Sequence, residues 1–251
     1  RIFVGTLDSF LYSIDACTGE VDLNFNNGGK VNLLEGLGRA INNDHYGVNS
    51  PPLVCKDTVV VGSSVMDYPA QYLNATSMAP GDVRAYDAIT GQLKWQFHVI
   101  PHEGELGAET WKNNSYLEGA GVNVWSTFSC DEDLGIVYLP LTTPTNDHFG
   151  GDRLGDNLFA ESVVALDVET GERKWHFQTV HHGLWDYDLP AAPNLIDVTT
   201  AAGTEKLLAQ VTKQAFLFVF NRETGQPKWP IIETPVLSST VTGEEVSSTQ
   251  P

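Results

Sequence analysis

Basic residues are scarce in this sequence. Lys and Arg total 14 against 32 Asp and Glu, so the formal net charge is −18 over 251 residues. Binding to nucleic acid or to an anionic membrane surface requires a basic surface region. The composition therefore argues against both partners and suits a protein that handles neutral or cationic ligands.

Cysteines and long apolar runs are also scarce. The three cysteines, Cys17, Cys55 and Cys130, are far apart and odd in number, a pattern that predicts neither a disulfide framework nor a Cys-x-x-Cys metal site. We therefore expect them to be buried small hydrophobic residues. No apolar run approaches the length of a membrane span, and no signal peptide is recognisable.

Helical periodicity is nearly absent, and the sequence instead contains a repeat. Each copy has a strand, a turn that Asp or Asn begins and Thr-Gly closes, and a second strand. Asp and Asn bond their own backbone two residues on, and Gly accepts a positive φ, so the turn has a physical basis. The second strand carries Trp in every copy except the first. The four copies lie at 10–19, 83–95, 163–175 and 217–229.

Two further strands precede each of the last three copies. They are predicted at about 51–54 and 58–63, 124–129 and 135–140, and 191–197 and 206–211. Four antiparallel strands in chain order form a blade of a β-propeller. The sequence therefore predicts an all-β fold, with 1–251 as part of a single propeller domain. Its parts are a partial first blade at 1–25, blades at about 51–98, 124–178 and 189–231, and the start of a further segment at 232–251.

The blades carry long insertions. The threonines of the four turns, at positions 18, 90, 170 and 224, lie 72, 80 and 54 residues apart, more than the ~40–45 residues of a plain blade. The excess lies in loops that emerge at the same end of the blades, and large loops on one face usually carry function. Because propellers close with about four to eight blades, we expect either that this sequence is a fragment, roughly half of a ring, or that other polypeptide completes it.

Three residues are expected where this loop face meets the propeller axis. Asp67 leaves a strand into a long loop, as either an exposed acid or an oxygen ligand for a hard cation such as Ca²⁺. Trp125 enters the innermost strand of its blade, as either core or a stacking surface for a planar ligand. Thr143 ends the next strand of that blade.

Two more residues belong to the same region. Asp186 lies in the polar and aromatic run at 181–190, and Lys213 ends a strand between Val211 and Phe216. A cation among apolar residues is costly unless an anion pairs with it. Acids, an aromatic plane and a buried cation from remote parts of the chain together predict a site for a planar anionic cofactor and a metal.

Several neighbouring polar residues are interpreted as structural. His181 and His182 are adjacent, so in an extended chain they point to opposite sides and do not chelate one metal. We expect them, with Trp185 and Tyr187, to hold the loop in place. The acidic run Asp131–Asp133 resembles a calcium loop only weakly and is expected to be a solvated turn on the opposite face.

With these motifs in place, the sequence resembles the quinoprotein (pyrroloquinoline quinone, PQQ) alcohol and sugar dehydrogenases, most of all their glucose dehydrogenase branch. The resemblance rests on the Asp-x-x-Thr-Gly-x-x-x-Trp blade motif, on Thr-Val-His-His-Gly-Leu-Trp-Asp-Tyr-Asp-Leu-Pro at 179–190, and on the 27 positions from Asp186 to Lys213. It implies an eight-bladed propeller with PQQ on its axis, bound together with Ca²⁺ or Mg²⁺.

The resemblance also implies roles for single residues. Asp186 matches the catalytic base, and Lys213 matches the cation that bonds the quinone oxygens of the cofactor. Trp125 matches the indole on which the cofactor ring stacks. The remaining implied positions are Asp67 and Thr143 as metal ligands, and Ser64 and Asn49 as cofactor hydrogen-bonding residues.

The implied reaction is oxidation of an alcohol or sugar hydroxyl with hydride transfer to metal-bound PQQ. Ubiquinone or cytochrome c would then receive the electrons. The resemblance implies a periplasmic location, and it leaves open an attachment to the inner membrane through a region outside this chain.

The sequence departs from the family pattern at two places. Tyr68 follows Asp67 where the family has an amide, and Gly183 stands between His182 and Leu184 where it has an acid. The alternative hypothesis is a non-catalytic propeller of the same repeat that acts as a protein-assembly scaffold. Such a scaffold has no reason to keep a cofactor site.

Overall fold

The computed structural model describes residues 1–66, 78–201 and 203–251, and its regular structure is almost entirely β. The strands in the first half of the described chain are β1 (Ile2–Gly5), β2 (Phe10–Ile14), β3 (Lys30–Asn32), β4 (Tyr46–Gly47), β5 (Leu53–Cys55), β6 (Thr58–Val61), β7 (Ser64–Val65), β8 (Val83–Asp87) and β9 (Leu93–Phe97). Those that follow are β10 (Ser129–Asp131), β11 (Ile136–Pro140), β12 (Ser162–Asp167), β13 (Arg173–Gln178), β14 (Asn194–Thr200), β15 (Gly203–Val211), β16 (Leu217–Asn221), β17 (Thr234–Pro235) and β18 (Thr249–Gln250).

The larger sheets are antiparallel and keep chain order, as expected for propeller blades. Two have four strands, β5-β6-β8-β9 and β10-β11-β12-β13, and two have three, β1-β2-β3 and β14-β15-β16. The pairs β4-β7 and β17-β18 stand apart. Short 3₁₀ segments lie at Asn43–His45, Ala108–Thr110 and Lys112–Leu117, and among the residues described no helix has the length and apolar character needed to span a membrane.

The repeated turns form as predicted. In the second copy, Asp87 Oδ1 accepts hydrogen bonds from Ile89 N and from both Thr90 N and Thr90 Oγ1. Gly91 has a φ of 71°, which a side chain would make costly. Thr-Gly therefore closes the turn because the threonine satisfies the aspartate and the glycine accepts the left-handed backbone.

These turns also join neighbouring blades. Trp95 Nε1 donates to Val168 O at 2.9 Å, and Gly171 packs so closely on the Trp95 ring that an added Cβ would lie 2.7 Å from it. Trp175 Nε1 donates to Arg222 O at 3.0 Å, and Gly225 packs on the ring of Trp175 in the same way. The second and third repeats thus place their tryptophans under the Thr-Gly turn of the next blade, which explains why the two parts occur together.

The hydrophobic core lies between successive sheets. One cluster of fully buried side chains joins the two four-stranded sheets through residues such as Val60, Val83 and Leu139. Another joins the sheet β10-β11-β12-β13 to β14-β15-β16 through Tyr138, Leu208 and others. Each fully buried aliphatic side chain contributes roughly 1.5–3 kcal/mol, so contacts between blades hold the arc together.

The first sheet differs in detail from the prediction that its blade ends at residue 25. Its third strand, β3, pairs with β2 at Tyr12↔Lys30 and therefore lies beyond that boundary. Phe25 is fully buried, and Asn26 donates from its backbone to Thr90 O and from its side chain to Gly91 O. Phe25 and Asn26 thus occupy the place under the next Thr-Gly turn that Trp fills in the other copies.

Two other sheets also have different strand boundaries. The inner strand β10 begins at Ser129 rather than at about 124. In the last three-stranded sheet, the expected fourth strand is reduced to the single bridge Phe220↔Pro227.

The expectation for the cysteines was wrong for all three. Cys55 and Cys130 form a disulfide with a Cα–Cα distance of 6.2 Å, and Cys17 is exposed. The bond joins β5 to β10, the first strands of the two four-stranded sheets. The two positions are 75 residues apart, so only the packing of one blade against the next brings them together.

The expectation of a solvated acidic turn was wrong for Asp131. Its side chain is buried and accepts from Arg222 Nε at 2.6 Å and from Leu134 N at 3.0 Å. The Arg222 guanidinium also pairs with Asp197. Asp131 therefore forms an ion pair between neighbouring blades, whereas Glu132 and Asp133 are exposed.

Candidate active site

Lys213 is the centre of a charged cluster. Its Nζ lies 2.8 Å from Asp186 O, 3.0 Å from Asp186 Oδ2 and 3.3 Å from Asp188 Oδ2. Burial disfavours its charge, but the hydrogen bond to Asp186 and the negative charge of Asp188 outweigh burial and raise the pKa of Lys213. Two carboxylates therefore pair with this lysine. The expectation of a buried cation was wrong, because Lys213 is exposed and so are its apolar neighbours Val211 and Phe216.

The loop that carries Asp186 turns sharply at this residue. Asp186 has a φ of 52°, in the left-handed region that Asp tolerates better than most residues. Leu189, three positions later, is fully buried and anchors the loop. The Asp186 side chain remains 44% exposed, so its carboxylate is reachable from solvent while Lys213 holds it.

Asp188 binds three donors from three parts of the chain. Its Oδ1 accepts from Thr143 N at 2.8 Å, and its Oδ2 accepts from Trp125 Nε1 at 3.1 Å as well as from Lys213. Burial raises the pKa of Asp188, although the bond from Thr143 N and the charge of Lys213 favour the carboxylate form. Asp188 thereby fixes the indole of Trp125 beside the ammonium of Lys213.

Glu161 lies next to this cluster and is completely buried at the start of β12. Its Oε1 accepts from Thr143 Oγ1 at 3.0 Å, whereas its Oε2 has no hydrogen-bond partner among the described residues. Burial raises the pKa of Glu161 to about 7. An orphaned carboxylate oxygen beside a threonine hydroxyl is a pair of hard oxygen donors, the kind that Ca²⁺ and Mg²⁺ prefer.

Gly183 provides the space for the Glu161 carboxylate. A Cβ at position 183 would lie 1.7 Å from Glu161 Oε2 and 2.2 Å from its Cδ, so no other residue fits without displacing the acid. The sequence has Gly183 where the family pattern has an acid. The Glu161 carboxylate, from another part of the chain, fills the space that a side chain at position 183 would need.

A further acid lies in the same electrostatic field. Asp147 is half-buried, and burial together with the negative charges of Asp186 and Asp188 raises its pKa to about 6. Four acids share this region with two cations, Lys213 and the buried Arg153. Arg153 acts electrostatically on both Asp147 and Glu161. The acids still outnumber the bases, and a metal cation would neutralise the excess negative charge.

The structure brings together four of the residues expected at the site. Trp125, Thr143, Asp186 and Lys213 are linked through Asp188. Ser64 lies on β7, and the backbone of its neighbour Ser63 donates to Val124 O at 3.2 Å, next to Trp125. Asn49 is exposed and, within the described residues, no contact joins its side chain to the cluster. Asp67 lies outside the described residues.

The histidines of the loop contact protein groups, in agreement with the structural interpretation. His182 is buried between Gly155 O at 2.7 Å and Glu244 Oε1 at 2.8 Å. His181 lies 3.1 Å from Glu233 Oε1. Trp185 differs from the expectation, because its side chain is 73% exposed and does not fill a core in this chain.

Sequence reasoning missed Asp188 and Glu161. The signal for Asp188 was the second acid of Trp-Asp-Tyr-Asp, since alternate residues of an extended run share a side. The signal for Glu161 was its position directly before the buried, mostly apolar strand β12. Burial of an acid is costly unless the acid is functional or paired.

Comparisons with known proteins show the family of the chain. The model of the PQQ glucose/ethanol/alcohol dehydrogenase β-propeller domain matches residues 1–251. The chain is 37% identical over its whole length to the quinate/shikimate dehydrogenase (quinone) of Acinetobacter baylyi, of which it covers 30%. It is 34% identical over its whole length to the quinoprotein glucose dehydrogenase of Gluconobacter oxydans, again covering 30% of that protein.

Solved structures give the same result. The quinohemoprotein alcohol dehydrogenase of Comamonas testosteroni superposes with a TM-score of 0.76 at 26% identity, with coverage of 98% of this chain and 36% of that one. The corresponding enzyme ADHIIG of Pseudomonas putida gives 0.74 at 28% identity, with coverage of 97% and 35%. The chain thus spans about a third of the length of the proteins it matches. It belongs to the PQQ-dependent glucose/ethanol/alcohol dehydrogenase β-propeller family.

Proposed function

We propose that this chain forms part of a PQQ-dependent dehydrogenase that oxidises an alcohol or sugar hydroxyl. The single observation that carries the proposal is the position of Lys213 between Asp186 and Asp188, with Asp188 also bonded to the indole of Trp125. A planar anionic cofactor needs a flat apolar surface and a cation at its edge, and this cluster provides both. The relatives named above act on quinate or shikimate, glucose and alcohols, which supports a C–OH substrate but not a particular one.

The residues present fit the expected metal and cofactor. Thr143 and Glu161 offer oxygen donors for Ca²⁺ or Mg²⁺, and the unpartnered Glu161 Oε2 is an acceptor that a cation would satisfy. Asp67 is proposed as a third ligand. Trp125 and Lys213 would bind PQQ, and Ser64 and Asn49 are proposed as further hydrogen-bonding residues.

Asp186 is the proposed general base. Its carboxylate is half-exposed and therefore accessible to a substrate hydroxyl, and the ammonium of Lys213 holds it in place at 3.0 Å. An ionised carboxylate at this point would accept the hydroxyl proton as the C–H bond breaks. Bound PQQ with its metal supplies the acceptor for the hydride. Asp188 holds Trp125 and Lys213 and so orients both around the reacting atoms.

We also propose an electron acceptor and a location. Dehydrogenases among the relatives are named as quinone-linked or as quinohemoproteins, which favours a quinone or a cytochrome as the acceptor. A periplasmic location is proposed on the same family basis.

Reconstitution tests the function directly. The full-length protein that contains this chain should be loaded with PQQ and Ca²⁺ and assayed for dye reduction with sugars, polyols and alcohols. We expect PQQ to bind and at least one C–OH substrate to reduce the dye. Protein that binds no PQQ and shows no reduction with any substrate would support the scaffold alternative instead.

The role of the indole has its own test. We expect Trp125→Ala to weaken PQQ binding by roughly 10- to 100-fold, since base- or ring-stacking on an indole is worth about 1–3 kcal/mol. Trp125→Phe keeps a ring but loses the donor to Asp188, so it should show an intermediate affinity. Equal affinity in all three proteins would remove Trp125 from the cofactor site.

A further inference from the structure

Two histidines and a glutamate converge in the loop that follows β9. The ligating atoms of His98, His102 and Glu105 all lie within 4.8 Å of one another. His98 Nδ1 is 2.9 Å from Glu105 Oε1 and 3.1 Å from Oε2. The two imidazole rings stack with their centroids 3.7 Å apart and an interplanar angle of 18°. The cluster shares no residue with the site around Lys213.

The backbone between these side chains is anchored. Val99 and Ile100 are buried, and Val99 N donates to the carboxylate of Asp82 at 3.2 Å. His102 N donates to Glu105 Oε2 at 2.8 Å, and Glu105 N returns a bond to His102 O at 3.0 Å. The two histidines therefore flank a buried segment, and this anchored segment fixes the distance between them.

The charge around the cluster favours a cation. Asp82 is almost fully buried and interacts electrostatically with both His98 and His102, so an acid lies behind the imidazoles. Glu105 supplies a second carboxylate at the surface. The formal net charge of −18 for the chain raises the local concentration of cations further.

We propose that His98, His102 and Glu105 form a surface binding site for a divalent transition metal of the Zn²⁺ type. Two imidazole nitrogens and one carboxylate match the ligand preference of Zn²⁺ and Co²⁺ rather than that of Ca²⁺ or Mg²⁺, which take oxygen ligands. Three protein ligands leave a coordination position to water, and the ion replaces the direct contact between His98 and Glu105. The buried Asp82 carboxylate accepts from Gln96 Nε2 and from Val99 N and so anchors the segment that carries His98.

Cobalt titration tests the proposal in the full-length protein. Co²⁺ is the probe, because its visible absorption reports nitrogen ligation, and Zn²⁺ should displace it. We expect the wild-type protein to bind one Co²⁺ that is lost in the double variant His98→Gln, His102→Gln. Removing a ligand should weaken binding by more than about tenfold, since even outer partners of metal ligands are worth 10- to 100-fold.

A matched control uses a histidine outside the cluster. His45→Gln should leave the cobalt spectrum and the affinity unchanged, and all variants should keep the thermal transition of the metal-free protein, because His98 is half-buried and His102 exposed. Dehydrogenase activity is not part of the readout, so failure of the proposed function would not affect the result. A cobalt affinity and spectrum that are the same in wild type and double variant, or no cobalt binding by wild type, would overturn the proposal.

Discussion

The substitution Asp188→Asn tests the charged cluster at its most connected point. The wild-type carboxylate accepts from Thr143 N on one oxygen and from Trp125 Nε1 and Lys213 Nζ on the other. An amide of the same shape has one oxygen and one NH₂ group. Whichever way it turns, the NH₂ group faces a donor, so at least one buried N–H or the ammonium loses its acceptor.

The size of the effect follows from burial. Asp188 is 9% exposed, and an unsatisfied buried donor costs about 1–3 kcal/mol. Because donors approach both oxygens of Asp188, the amide NH₂ group would face a donor in either orientation. We therefore expect the free energy of unfolding of the cofactor-free, full-length protein to fall by about 2–4 kcal/mol. Urea denaturation measures this change. The PQQ affinity should fall as well, because the Trp125 indole and Lys213 lose their shared partner.

The matched control is Asp186→Asn, two residues away. The side chain of Asp186 is 44% exposed and Lys213 is its ion-pair partner, so the stability loss should stay below about 1 kcal/mol. If Asp188→Asn were as stable as Asp186→Asn and bound PQQ as well as wild type, the three-donor account of Asp188 would be refuted.

Three further predictions concern other parts of the structure. Gly183→Ala should lower both stability and Ca²⁺ affinity, because its Cβ would overlap the Glu161 carboxylate, and added Glu161→Ala should restore the stability but not the Ca²⁺ affinity. Asp131→Ala should cost about 3–5 kcal/mol in chemical denaturation, since it leaves the buried Arg222 guanidinium without its main partner. Burial and the nearby Arg173 lower the pKa of His176 to about 4, so the unfolded chain binds more protons than the folded one between about pH 4 and 6.5. Stability should therefore fall as the pH drops through that window, and His176→Gln should flatten the profile measured by thermal unfolding.

Each of these predictions has an outcome that would contradict it. Destabilisation that persists in the Gly183 and Glu161 double variant would show that the two positions do not compete for space. A cost for Asp131→Ala no larger than that of the exposed neighbour Asp133→Ala would mean that the ion pair contributes nothing net. A pH profile of His176→Gln parallel to that of wild type would assign the acid sensitivity to other groups.

The fold was predictable because its signal is local. The Asp-x-x-Thr-Gly turn is satisfied within its own residues, and the tryptophan that follows packs under the next copy of the same turn. A repeat of this kind determines both the hairpin and the contact between blades. The boundary of the first blade was set too early because Phe25 and Asn26 take the place of the tryptophan with no sequence similarity to it.

The site was predictable only in part, for a physical reason. Trp125 and Lys213 lie at the ends of predicted strands, and Asp186 lies in the loop between two of them. Because successive strands of a blade run in opposite directions, the strand order predicts which face of the propeller each residue reaches. Glu161 and the disulfide of Cys55 with Cys130 depend instead on which blade packs against which, and on the space left by a glycine in another loop. The sequence can mark Glu161 as an acid beside a buried strand, but it does not show which residues surround it, and spacing does not pair Cys55 with Cys130.

Replacement of Asp186, the proposed general base, tests most directly whether the cluster around Lys213 is the active site. The full-length Asp186→Asn protein, loaded with PQQ and Ca²⁺, should keep bound PQQ at the wild-type stoichiometry. Its rate of dye reduction should fall by about 10²- to 10⁴-fold, the range that a general base contributes, whereas Asp133→Asn on the opposite turn should behave as wild type. Wild-type turnover by Asp186→Asn with the cofactor bound would contradict the assignment of this site.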